Sequence, residues 1–69
     1  MSISYNKLWR LLERRGFARK DIVWLAKISE STYRKLLAGE ATRMDVLERI
    51  CAVLKVDIGD ICSFRERKG

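Results

Sequence analysis

Glu30 and Ser31 are followed one helical turn later by Arg34 and Lys35, so a helix through this run carries all four polar groups on its outer side. Their chemistry suits base edges. Arg offers two parallel donors that match guanine O6 and N7, Lys a charged donor, and Glu an acceptor for cytosine N4. The plainer reading is a solvated helix face, with the Glu30 carboxylate favoured by the dipole at the helix N-terminus. Ser31 donates or accepts and says little by itself.

The elements that must position these groups lie in Lys20 to Gly39, KDIVWLAKISESTYRKLLAG. Two apolar patterns are interrupted there at Lys27-Ile28-Ser29 without a Pro. Ile22, Leu25 and Ala26 share one face of the first; Tyr33, Leu36 and Leu37 share one face of the second. The spacing predicts helices over about 19–27 and 30–37, with Ser29 capping the N–H groups that open the second. The turn is too tight for antiparallel packing. It predicts a crossed helix-turn-helix whose second helix protrudes and can enter a DNA major groove.

Charge points the same way. The chain has 69 residues and a net charge of +6, and the whole excess lies in residues 1–35, with nine basic against three acidic side chains. Residues 36–69 hold six of each. A phosphate backbone is the partner this asymmetry fits. For Arg10, Arg14 and Arg15, on the first helix, a solvated face is as good an explanation. RNA fits the charge alone, but the aromatic residues do not form a stacking surface among basic groups.

The length predicts one domain, residues 1–69, too small for an ordinary catalytic cleft beside its core. The chain has no His, no metal-ligand cluster and no phosphate-cradling glycine loop, so no enzyme, metal or cofactor is expected. Cys51 and Cys62 are too few for a zinc site or a disulfide framework. Cys51 falls in the apolar rhythm Leu47, Ile50, Cys51, Leu54 and is expected to be a small buried hydrophobe. Free thiols suit the cytoplasm. No membrane span or signal peptide is expected.

Elsewhere a helix over about 6–15 carries Tyr5, Leu8, Trp9 and Leu12 inward and stops at Gly16, with Phe17 plugging the core. Trp9 reads as core, whereas Trp24 falls outside the inward stripe and is either a contact surface or partial cover. Thr42 and Asp45 suggest a capping box opening a fourth helix. A short fifth helix, capped by Asp57, turns Ile58, Ile61 and Cys62 inward. Ile3 with Tyr5, and Ile61, Ser63 and Phe64, alternate weakly enough for either short paired strands or coil.

Taken together these segments make the chain resemble the Cro and lambda-repressor-like (XRE) helix-turn-helix family, especially its short stand-alone members. The resemblance rests on Ile28-Ser29-Glu30-Ser31-Thr32-Tyr33-Arg34-Lys35-Leu36 with Gly39, on Leu8-Trp9, and on Asp45, Leu47, Ile50-Cys51, Leu54 and Ile58-Gly59-Asp60-Ile61. It covers nearly the whole chain. It implies an all-α fold of five helices, with short terminal strands as an open addition. It also implies DNA contacts from Arg19 and Lys20 at the opening of the second helix, from Glu30, Ser31, Arg34 and Lys35 toward bases, from Thr32 toward backbone or phosphate, and from Arg43 toward phosphate; Ser29 completes the expected DNA-binding set.

Four positions depart from the family pattern: Ala18 where a capping residue is usual, Val23 where a small one is, Lys27 where the turn has Gly, and Tyr33 where an aliphatic residue sits. The expected function is a sequence-specific DNA-binding regulator, a repressor by preference. It would act as a homodimer on a pseudo-palindromic operator, since one module of this size buries little surface. Tyr5, Ile58 and Phe64 are the expected dimer surface. The competing expectation is a protein-interaction module, an antitoxin or anti-regulator, whose DNA binding is secondary.

Overall fold

Leu8, Trp9, Leu11 and Leu12 all turn inward from helix α1 (Asn6–Arg14) in the computed structural model, which describes residues 2–65. The chain leaves α1 through Gly16 at φ 81°, a left-handed conformation that costs glycine little. Phe17 then donates its N–H to the Leu12 carbonyl at 2.9 Å and lays its ring, half-buried, on the edge of the core.

The predicted second helix is shorter and tighter than 19–27. Arg19–Asp21 form a 3-10 turn, and only Ile22–Leu25 (α2) are α-helical. Ala18 has no side-chain oxygen to cap this start; the Asp21 carboxylate reaches back instead and accepts from the Ala18 N–H at 2.8 Å. Beyond α2, Lys27 sits at φ 53°, the left-handed position where the family pattern has Gly. An L side chain costs about 1 kcal/mol there.

Helix α3 (Glu30–Ala38) opens at Ser29 as expected, whose hydroxyl accepts from the Thr32 N–H at 3.2 Å. It closes at Gly39, at φ 73° and so near the N-terminal segment that an added Cβ would lie 3.1 Å from the Ile3 carbonyl oxygen. Leu36 is buried and Tyr33 half-buried, but Leu37, expected inward with them, is 45% exposed. The inward stripe of α3 is narrow, with Leu36 its one fully buried residue.

The Thr42–Asp45 capping box does not form. Arg43 is the N-cap of α4 (Met44–Leu54); Thr42 Oγ1 lies 3.2 Å from the Tyr5 hydroxyl, and Asp45 faces Arg43 at 3.2 Å and Arg49 at 3.7 Å. Val46, Leu47, Ile50 and Leu54 are buried, while Cys51 is half-buried at the edge of the stripe. Among the described residues the α-helices therefore number four. In place of the expected fifth stands a 3-10 turn, Ile58–Asp60, in which the Asp60 carboxylate accepts from the Asp57 N–H at 3.0 Å. Ile61 plunges into the core, Cys62 is half-buried, and Ile58 stays 42% exposed because a three-residue turn has no full inward face.

The terminal segments are strands. β1 (Ser2–Ser4) pairs antiparallel with β2 (Ser63–Arg65), Ile3 opposite Phe64. The pairing joins these two segments, and the residue that follows β1 corrects one expectation. Tyr5, proposed for a dimer surface, is 2% exposed, and its hydroxyl donates to the Glu40 carbonyl at 2.9 Å. It braces the loop after α3 from inside the subunit. Ile58 and Phe64 remain at the surface, Phe64 with 71% of its area exposed.

Candidate nucleic-acid interface

Ser29 is the corner from which the interface is built. Its oxygen lies 3.1 Å from Ser31 Oγ and 2.9 Å from Thr32 Oγ1, besides accepting from the Thr32 N–H. Three hydroxyls thus cluster at the positive end of α3, where backbone N–H groups and side-chain oxygens both face outward. Glu30 occupies the first turn, where the dipole favours a carboxylate. It also lies 3.5 Å from Lys20 Nζ, a solvent-exposed pair of small energetic weight that links the opening of the helix-turn-helix to the opening of α3.

Arg34 and Lys35 follow one turn on, both exposed and neither in an ion pair among the described residues. Lys35 shares a shallow recess with Thr32, Ala41, Thr42, Arg43 and Val46, of about 250 Å³. The recess brings together three residues expected at DNA from separate parts of the chain: Thr32, Lys35 and Arg43. Arg43 projects from the start of α4 with its side chain 84% exposed, 3.2 Å from Asp45. Arg19 opens the 3-10 turn before α2, its guanidinium 5.4 Å from the centre of the Trp9 ring.

Other basic residues have structural work. Arg15 donates to the Leu54 carbonyl and so serves the C-terminal end of α4, and Lys7 donates to the Gly59 carbonyl at 3.1 Å. Arg49 was not singled out by the sequence, yet it donates to the Lys27 carbonyl at 3.2 Å and holds the turn of the motif against α4. Its signal was faint: Asp45 stands four residues before it, ordinary ion-pair spacing for any helix. Trp24 is 61% exposed; its indole N–H donates to Asp21 at 3.3 Å and its ring meets Phe17 edge-on at 6.3 Å. It covers Phe17 and is tethered there.

Both cysteines are free. Burial raises the Cys51 thiol pKa above its ordinary value, with nearby Cys62, Asp57, Asp60 and Glu48 adding to the effect. Burial raises Cys62 as well, against a smaller lowering by Lys7. Raised thiols stay protonated near neutrality and are poor nucleophiles. No helix among the described residues is long and apolar enough to cross a membrane.

The fold that presents this exposed, N-capped α3 recurs in a known protein. The chain superimposes on the crystal structure of the transcriptional regulator VanUg with a TM-score of 0.86 and 39% sequence identity, over 90% of this chain and 83% of that one. No curated protein sequence matches it significantly. A family profile described as the Cro/C1-type HTH DNA-binding domain matches residues 7–66. That match spans α1 through the second strand, and the chain belongs to the Cro/C1-type helix-turn-helix DNA-binding domains.

Proposed function

We propose that the chain, as one helix-turn-helix domain over residues 1–69, is a sequence-specific transcriptional regulator that binds a pseudo-palindromic operator as a homodimer. Repression by covering a promoter is the output this small domain suits. The observation that carries the reading is α3 itself, with Arg34 and Lys35 exposed beyond the Ser29 cap. In this reading α3 lies in the major groove. Arg34 and Lys35 reach base edges, Ser29, Glu30 and Ser31 stand at the helix opening, and Arg19, Lys20, Thr32 and Arg43 meet the phosphate backbone.

The homodimer places two copies of α3 about 34 Å apart, one turn of DNA. Ile58 and Phe64, both exposed, are the proposed contact between subunits. The protein acts in the cytoplasm, without a cofactor and without catalysis. Exposed Trp24 favours a second reading, in which a protein partner docks on that face and DNA binding is secondary.

Selection of duplexes from a random pool, followed by titration against salt, tests the first reading. A two-fold motif with a steep salt slope is expected. Weak binding without an enriched motif contradicts it and favours the second.

A further inference from the structure

Trp9 touches a cation and a phenol at once. The Arg19 guanidinium carbon lies 5.4 Å from the indole centroid, and the Tyr33 ring meets the same indole edge to face, at 6.5 Å between centroids and 87° between planes. Trp9 is 7% exposed and part of the core, so its ring is a fixed platform. Arg19 and Tyr33 come from different elements, the 3-10 turn that opens the motif and α3, and the indole is a surface they share.

Their polar ends are free. Among the described residues Arg19 makes no ion pair, and the Tyr33 hydroxyl has no hydrogen-bond partner. No buried side-chain oxygen or nitrogen there lacks a partner, so the Tyr33 hydroxyl faces solvent. Tyr5 is the contrast: its hydroxyl is spent on the Glu40 carbonyl and Thr42. The aromatic departure from the family pattern at position 33 therefore adds a donor whose ring rests on the same indole as the Arg19 guanidinium.

We propose that Trp9 is a positioning residue that holds the Arg19 guanidinium and the Tyr33 hydroxyl as a two-donor clamp for one stretch of the DNA phosphate backbone. The clamp rests on the DNA-binding reading above. Packing against the indole draws the guanidinium to one place and removes rotamer freedom before DNA arrives. The charged donor displaces counterions, whereas the phenol adds a directional bond that releases none. The two parts are separable by experiment for that reason.

The test uses the full chain and the duplex it enriches from a random pool, with affinity measured against salt and phosphate contacts mapped by ethylation interference. Tyr33→Phe, which keeps the ring on Trp9, is expected to lower affinity about tenfold with the salt slope and melting temperature unchanged. Arg19→Ala is expected to weaken binding and reduce the slope by about 1. Both lose interference at the same phosphate or its neighbour. Trp9→Leu loses that same interference, and Trp9→Phe retains it. Unchanged binding by Tyr33→Phe, losses at unconnected phosphates, or a wild-type pattern in Trp9→Leu overturns the clamp while leaving the DNA reading in place. Failure of the wild-type chain to enrich any duplex overturns both.

Discussion

Arg49 donates from α4 to the carbonyl of Lys27, 3.2 Å away and 22 residues earlier in the chain. The bond lands on the left-handed residue that sets the angle between α2 and α3. Arg49→Ala is expected to destabilise the fold by about 1 kcal/mol, the net value of one hydrogen bond. The exposed pair with Asp45 adds little, so Asp45→Ala should cost less in urea denaturation. Equal losses in the two variants would show that the ion pair, not the tie to the turn, is what matters.

Lys27 and Lys55 both hold positive φ, at 53° and 57°. Lys27→Gly is expected to raise stability by about 1 kcal/mol, and Lys55→Gly to do the same at the end of α4. Lys27→Ala, which keeps a Cβ in the same conformation, should give no such gain. Chemical denaturation of the three variants checks this.

Tyr5 and Phe64 separate folding from association. Tyr5→Phe removes the bonds to Glu40 and Thr42 from a buried ring and is expected to cost the subunit about 1–2 kcal/mol with no effect on oligomeric state. Phe64→Asp leaves the core untouched and is expected to shift sedimentation toward monomer. An unaltered sedimentation profile would remove Phe64 from the dimer surface.

The thiols give a pH window. A thiol whose pKa is raised on folding contributes stability that is whole below the unfolded value of 9.0 and is lost as pH rises through the folded value. Stability is thus expected to fall above pH 9.0, and Cys51→Ser with Cys62→Ser to flatten that fall. Alkylation at pH 8 should be slow in the folded chain and fast in urea.

Helices α1, α3 and α4 are legible in the sequence because each repeats Leu, Ile or Trp at helical spacing, and α3 adds the Ser29 cap and Gly39 stop. The second and last helical segments read less well. Asp21 and Asp60 reach back to satisfy the N–H groups of Ala18 and Asp57, which lets 3-10 turns stand where longer helices were expected. Helical spacing turns Tyr5 inward, in agreement with its burial, and conflicts with its place in the expected dimer surface; its hydrogen-bond partners, 35 and 37 residues away, lie beyond any local pattern. The outward residues of α3 follow from periodicity alone. Their setting does not: the Lys20–Glu30 pair, the Trp9 platform under Arg19 and the Arg49 tie all join elements separate in sequence.

The most direct test of α3 as the reading element compares Arg34→Ala and Arg43→Ala on the selected duplex and on versions with each base pair changed in turn. Arg34→Ala is expected to lose discrimination at particular positions by about 1–3 kcal/mol, while Arg43→Ala weakens every duplex alike. Uniform losses in both variants would contradict base recognition by Arg34 and reduce it to a phosphate contact.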